Sequence, residues 1–201
     1  MKIYEMKMAP NPRRVRIFVA EKRITVPFEQ VDLFHGASKT PEFLAKNPLG
    51  AVPVLELDDG TCISESVAIC RYLEGLYPNP PLMGIGTLGQ AAVEMWQRRM
   101  EFNVFLPIEQ TFLHTSEWFK SRPQVAEFAE VCRKKGYQGL EWLNTVLATR
   151  HFVAGDDYAI ADITALVAVD FTSFPGIEVK PELRHLKRWH AEVSGRPSAQ
   201  A

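Results

Sequence analysis

The stretch "PVLELDDGTCISESVAICRYLEGLYP", residues 53–78, carries the pattern from which the fold can be read. Two short apolar runs flank an Asp-Gly turn at Asp59 and Gly60, the strongest short-range signal for a β-hairpin. Pro53 suits the first residue of a strand, where a missing backbone donor does least harm. Directly after the hairpin, "SESVAICRYLEGLYP" reads as a helix closed by Pro78.

Upstream of the hairpin, strands and helices alternate. "KIYEM" at 2–6 reads as a strand, and "RRVRIFVAEK" at 13–22 sets Val15, Phe18 and Val19 at helical spacing. "PFEQVDL" at 27–33 supplies the next strand, and a short helix falls near 41–46. The order β-α-β, short helix, hairpin, helix specifies a small α/β sheet that mixes parallel and antiparallel pairs over residues 1–77. Residues 78–90, "PNPPLMGIGTLGQ", are rich in proline and glycine without a sustained period and read as a linker.

Downstream, from 91 to 201, strand signals largely vanish. Ala92, Trp96, Met100 and Val104 recur every fourth residue, with Pro107 kinking or ending that helix. Val125, Phe128, Cys132, Gly136, Leu140, Leu143 and Leu147 continue at threes and fours. "ADITALVAVDF" is apolar nearly all round, as a central buried helix is, and "PELRHLKRWHAEV" opens with proline and closes near Gly195. The second part is therefore all-helical.

Composition narrows the function classes. The 201 residues carry 23 basic and 24 acidic side chains, a formal charge of −1, which gives no electrostatic footprint for nucleic acid and no polybasic membrane patch. No apolar stretch has the length of a signal peptide or a membrane span, so a cytoplasmic protein acting on small molecules is expected. Cys62, Cys70 and Cys132 form neither a C-x-x-C pair nor an even framework, which argues against a dithiol centre or a structural zinc site.

The whole chain resembles the soluble glutathione S-transferases. "PEFLAKNPLGAVPVLELDDGTCISESVAICRYLE", residues 41–74, is similar to that family's segment from the short second helix through the helix that grips glutathione. "FVAGDDYAIADITALVAVDF", residues 152–171, is similar to its buried helix and preceding turn, and "NPRRVRIFVAEK" most resembles the bacterial and fungal, theta-like members. The resemblance implies a thioredoxin-like β-α-β-α-β-β-α domain followed by an all-helical domain. It also implies a cis bond between Val52 and Pro53, with Val52 pairing to the cysteinyl part of glutathione; a cis X-Pro bond costs only ~0.5–1 kcal/mol over trans. Without the resemblance, an ordinary trans proline at a strand start accounts for Pro53. Ser64, Glu65 and Ser66 read by themselves as a helix start, with Ser64 as N-cap. In the family, the equivalents of Glu65 and Ser66 take the γ-glutamyl ammonium and carboxylate, with help from free helix-end amides.

Glutathione chemistry needs a thiolate. A cysteine-type thiol with pKa about 8.5 is only a few per cent ionised at neutral pH, and lowering that value by about two units takes roughly 2.7 kcal/mol. A helix N-terminus offers about 0.3–1 kcal/mol, up to ~2 when partly buried, and a hydrogen bond to a charged acceptor about 1.5–3. One donor added to a dipole is enough. Relatives place a Tyr, Ser or Cys just after the first strand, but positions 8–13 here are Met, Ala, Pro, Asn, Pro and Arg, with Ala9 where related classes carry serine. Asn11 offers an amide donor immediately before Pro12, or else merely caps the helix. The free amides around Pro12 to Arg14 are a further possibility, and His114 acting as a base through a bound water is another.

Arg13, Arg14 and Arg16 read as a solvated helix face, with Arg13 a candidate for glutathione's anionic ends. Ser38 and Ala51 stand where many relatives place Lys, His or Gln near the glycyl carboxylate, with Lys39 as the candidate substitute. Ala159 replaces the usual Ser or Thr three residues before Asp162, forfeiting half of a capping interaction worth about 1 kcal/mol. Met8, Ala9, Phe112 and Trp118 are candidates for contact with a hydrophobic co-substrate, although such aromatics are more often core. The implied activity is conjugation of glutathione to a hydrophobic electrophile in detoxification, by a cytoplasmic homodimer with no metal or redox cofactor. The alternatives are glutathione-dependent peroxide or disulfide reduction, and a ligand-binding or regulatory protein that keeps the fold without the chemistry.

Overall fold

The computed structural model describes residues 1–201, which divide into two compact units: 1–82 with 200–201, and 83–199. The first unit contains β1 (Lys2–Glu5), α1 (Pro10–Glu21), β2 (Phe28–Gln30), α2 (Pro41–Lys46), β3 (Val54–Glu56), β4 (Cys62–Ser64) and α3 (Ser66–Leu76). Its sheet has the order β2-β1-β3-β4, with β1 parallel to β2 and antiparallel to β3, and β3 antiparallel to β4. This is the expected thioredoxin-like arrangement.

Strand alternation sorts the core. Ile3 and its register partner Leu55 are fully buried together with Val15, Phe18, Ile69 and Leu73 from α1 and α3. Tyr4 and its partner Val54 join Val31 and Phe43 in a separate cluster, with the Phe43 ring edge-on to Tyr4. The hairpin turns at Asp58–Asp59–Gly60, where Gly60 N–H donates to Leu57 C=O and Gly60 takes φ +87°, a value glycine adopts without a Cβ clash.

Two elements differ from the sequence reading. The helix expected over 13–22 begins at Pro10, because the first turn tolerates residues without an N–H. The strand expected over 27–33 is confined to Phe28–Gln30; Val31 N–H still donates to Glu5 C=O, but the Asp32 carboxylate then accepts from the backbone of Phe34 and His35 and turns the chain.

The second unit is helical: α4 (Gly86–Met100), a π-helical turn (Glu101–Phe105), α5 (Leu106–Thr115), α6 (Ala126–Leu147), α7 (Ile160–Phe171) and α8 (Arg184–Ser194). The first turn of α4 takes in the end of the 78–90 segment. Pro107 lacks the N–H that would bond Asn103 C=O, and the irregular turn sits just before it. In α6 the buried stripe runs Ala129, Cys132, Gly136, Gly139, Leu140, Leu143 and Leu147, whereas Val125 and Phe128 lie exposed. All of α7 except Asp170 is buried. Asp162 there accepts from Val153 N–H (2.9 Å), Ala159 N–H (3.0 Å) and Trp189 Nε1–H (2.8 Å). The aspartate half of the capping interaction is thus present at Ala159, which has no side-chain oxygen to supply the other half. No helix is long and apolar enough to cross a membrane.

Candidate functional site

The Val52–Pro53 and Glu65–Ser66 pairs flank one end of the β3–β4 ladder, just before β3 begins and just after β4 ends, where α3 starts. The ladder stops at the pair Val54 and Ser64, so Pro53 and Glu65 are the next residues on the two chains. The Val52–Pro53 bond is cis, and neither the N–H nor the C=O of Val52 has a partner within the protein. The turn before it is held by the buried Asn47, whose side chain donates to Ala51 C=O (2.9 Å) and accepts from Leu49 N–H (3.2 Å). Gly50 has φ +60°, and a Cβ there would stand 2.6 Å from both Lys39 Nζ and Ser38 O. Lys39 is exposed and donates to Leu49 C=O at 3.0 Å.

Glu65, at φ +70° and ψ 117°, occupies the N-cap position of α3; Ser64 belongs to β4 and does not cap. This conformation is costly for a residue with a Cβ, by about 1–3 kcal/mol. It leaves the Glu65 side chain exposed while Ser66, the first helical residue, is buried. Ile69 N–H closes the first turn on Glu65 C=O, so the amides of Ser66, Val67 and Ala68 have no acceptor in the protein. Three free donors at a helix N-terminus favour a carboxylate.

At the start of α1, Ala9 is the N-cap residue and Asn11 is the second residue of the helix, so the reading of Asn11 as a simple cap does not hold. Pro10 and Pro12 have no N–H, and the backbone N–H of Asn11 has no acceptor. The Asn11 side chain accepts from Arg14 Nη1 at 2.9 Å, and the same nitrogen lies 2.6 Å from Ser66 Oγ. Arg14 is fully buried and Arg16, paired with Glu5, nearly so; the basic run is not a solvated face. Position 14 shares a helical stripe with Phe18, and that spacing is the signal by which its burial could have been found. Burial pushes the thiol of nearby Cys70 up to about 12 against the opposing charge of Arg14, leaving it inert at neutral pH.

Arg13 is half-buried on α1, Ala9 is half-buried before it, and Met8 is exposed in the β1–α1 connection. The remaining candidates belong to the helical unit. Phe112 is buried among the rings of Trp118, Phe119, Phe171 and Phe174, at centroid distances of 5.1 to 5.8 Å, as a core residue is. Trp118, at the edge of that cluster, is half exposed. His114 Nδ1 accepts from Val125 N–H at 3.1 Å, so the neutral ring carries its proton on Nε2 and offers a donor there.

Residues 3–81 match the family model described as glutathione S-transferase, N-terminal domain, and residues 104–197 match that for the C-terminal domain. The chain is 37% identical over its full length to glutathione S-transferase 2 of Saccharomyces cerevisiae, covering 88% of that protein. The crystal structure of Gtt2 from Saccharomyces cerevisiae superposes with a TM-score of 0.94 at 37% identity, covering 100% of this chain and 99% of that one. A glutathione S-transferase domain-containing protein of Marinobacter aquaeolei VT8 gives 0.95 at 38% identity, covering 98% and 99%. With both of its units matched and relatives aligned along the whole chain, the protein belongs to the glutathione S-transferase family.

Proposed function

We propose that the protein binds glutathione in its first unit, holds the sulfur as thiolate and conjugates it to a hydrophobic electrophile. The observation that carries the reading is the row of three unpartnered amides on Ser66, Val67 and Ala68, beside a Val52 backbone whose own N–H and C=O are unpaired. The amides and the Ser66 hydroxyl match the γ-glutamyl carboxylate, the exposed Glu65 carboxylate matches its ammonium, and Val52 supplies the backbone pair for the cysteinyl residue. Arg13 and Lys39 are the cations for the remaining carboxylate.

In the reaction the thiol proton leaves to solvent, the sulfur attacks carbon, a C–S bond forms and the leaving group departs with its electron pair. No metal or redox cofactor enters that sequence. Asn11 supports the anion through its side-chain amide and its free backbone N–H, at a helix end whose two prolines contribute dipole but no donors. A hydrogen bond to a charged acceptor, about 1.5–3 kcal/mol, added to the dipole covers the roughly 2.7 kcal/mol that two pKa units require. His114 is less suited to act as base, because its Nδ1 lone pair is already occupied by Val125. We further assign a cytoplasmic homodimer with a detoxifying role.

The absence of Tyr, Ser or Cys from positions 8–13 favours a second reading, a ligand-binding or regulatory protein that keeps the fold without the conjugating chemistry. Calorimetric titration with glutathione, followed by turnover assays with an aromatic halide and with a hydroperoxide, separates the readings. Binding with halide turnover supports conjugation, peroxide turnover alone supports reduction, and binding without turnover supports the second reading. No binding rejects conjugation and reduction.

A further inference from the structure

We propose that Arg14 is a positioning residue that sets the hydrogen-bond polarity of Asn11 and Ser66 together, so that both present donors to the bound tripeptide. The inference rests on the glutathione-binding reading above. A guanidinium has donors only, so any group it bonds must turn an acceptor toward it. At Asn11 the acceptor is the amide oxygen, 2.9 Å from Arg14 Nη1, which fixes the amide with Nδ2 pointing away from the arginine. At Ser66 it is the hydroxyl oxygen, 2.6 Å from the same nitrogen, which leaves the hydroxyl hydrogen to donate elsewhere. Carboxylate and thiolate are both acceptors, so the two groups are set in the one sense that serves an anionic ligand.

The arginine itself is fully buried and does not compete for solvent or ligand. It joins the first turn of α1 to the first turn of α3, segments 52 positions apart in sequence, through a single nitrogen. Asn11 and Ser66 therefore share one donor group. A change at either end alters the arginine's placement at the other, and coupling between the two follows.

The test uses the full chain with glutathione as probe. Dissociation constants come from calorimetry, the pKa of the bound thiol from thiolate absorbance against pH, and folding from circular dichroism and thermal melting. Arg14→Met is expected to weaken glutathione binding at least tenfold and to raise the bound-thiol pKa. Arg14→Lys, which keeps the charge but not the fork, is expected to do the same to a lesser degree. Should Arg14→Met not fold, Asn11→Ala, Ser66→Ala and their combination decide the matter, because neither single change removes a large buried group. The expected result is a combined loss of affinity that departs at least threefold from the product of the single losses. Folded Arg14 variants with unchanged thiol pKa, or a cycle multiplicative within threefold, overturn the inference while leaving glutathione binding in place. A wild-type chain that binds no glutathione overturns the binding reading itself, and the inference with it.

Discussion

Gly139 on α6 and Asn103 in the π-helical turn approach so closely that a Cβ on the glycine would stand 2.2 Å from the asparagine's carbonyl oxygen. That carbonyl is the one whose helical partner is lost to Pro107. The irregular turn and the glycine thus answer one another: the turn brings backbone against α6, and only a residue without a side chain leaves room. Gly139→Ala is expected to destabilise the protein by about 1–3 kcal/mol, the range for overpacking, despite the better helix propensity of alanine. Gly75→Ala in α3, where a Cβ meets nothing within 4 Å, is the control and is expected to stabilise by about 0.5–1 kcal/mol. Urea unfolding of both variants checks the pair; equal effects would contradict the packing argument.

Asp162 makes stability depend on pH in an unusual direction. Burial pushes its carboxyl up to about 6 from an ordinary 3.8, against three N–H donors that favour the anion. A folded-state pKa above the unfolded value means that the folded chain binds the proton more tightly. The contribution is therefore fully present below about pH 4 and is lost as pH rises through 6, by about 3 kcal/mol. Asp162→Asn cannot ionise and lacks one acceptor for the three donors, so it is expected to be less stable than wild type throughout. The gap should narrow between pH 4 and pH 6.5. Unfolding free energies of the two proteins across that range test this, and a gap that widens would contradict it.

Glu65 carries its exposed side chain on a backbone in the left-handed half of φ/ψ space. Its φ of +70° costs a residue with a Cβ about 1–3 kcal/mol, and glycine escapes most of that at its usual entropic cost of about 0.5–1 kcal/mol. Glu65→Gly is expected to melt higher, by about 1 kcal/mol of stability, while binding glutathione about tenfold more weakly through loss of the ammonium's partner. Thermal melting and calorimetry on one preparation read both effects. A variant that gains stability and loses no affinity would show that the strained backbone serves no ligand.

Much of the fold was legible because it depends on local rules. The Asp-Gly turn placed the hairpin, helical spacing placed Val15 and Phe18 in the core, and the all-round apolar α7 read correctly as a buried helix. What escaped depends on side chains acting against type. Asp32 ended β2 early by bonding its own following backbone, which no strand pattern announces. Arg14 and Arg16 looked like surface charges because arginine is seldom buried, yet each has buried partners far along the chain or on a neighbouring strand. The cis Val52–Pro53 bond and the Glu65–Ser66 pair were placed by resemblance, since a proline at a strand start reads as trans by itself. The partners of Asn11 were beyond reach of sequence, because they hinge on one arginine nitrogen.

In the proposed function, amide donors around Asn11 stand in for the missing hydroxyl in stabilising the thiolate. That role is tested most directly by titrating the thiolate absorbance of glutathione bound to the wild-type protein and to Asn11→Ala. A bound-thiol pKa of about 6.5 is expected in the wild type, some two units below the free value of about 8.5, with a rise of at least one unit in the variant. A wild-type complex whose thiol titrates near 8.5, or an Asn11→Ala complex that titrates with the wild type, would contradict it.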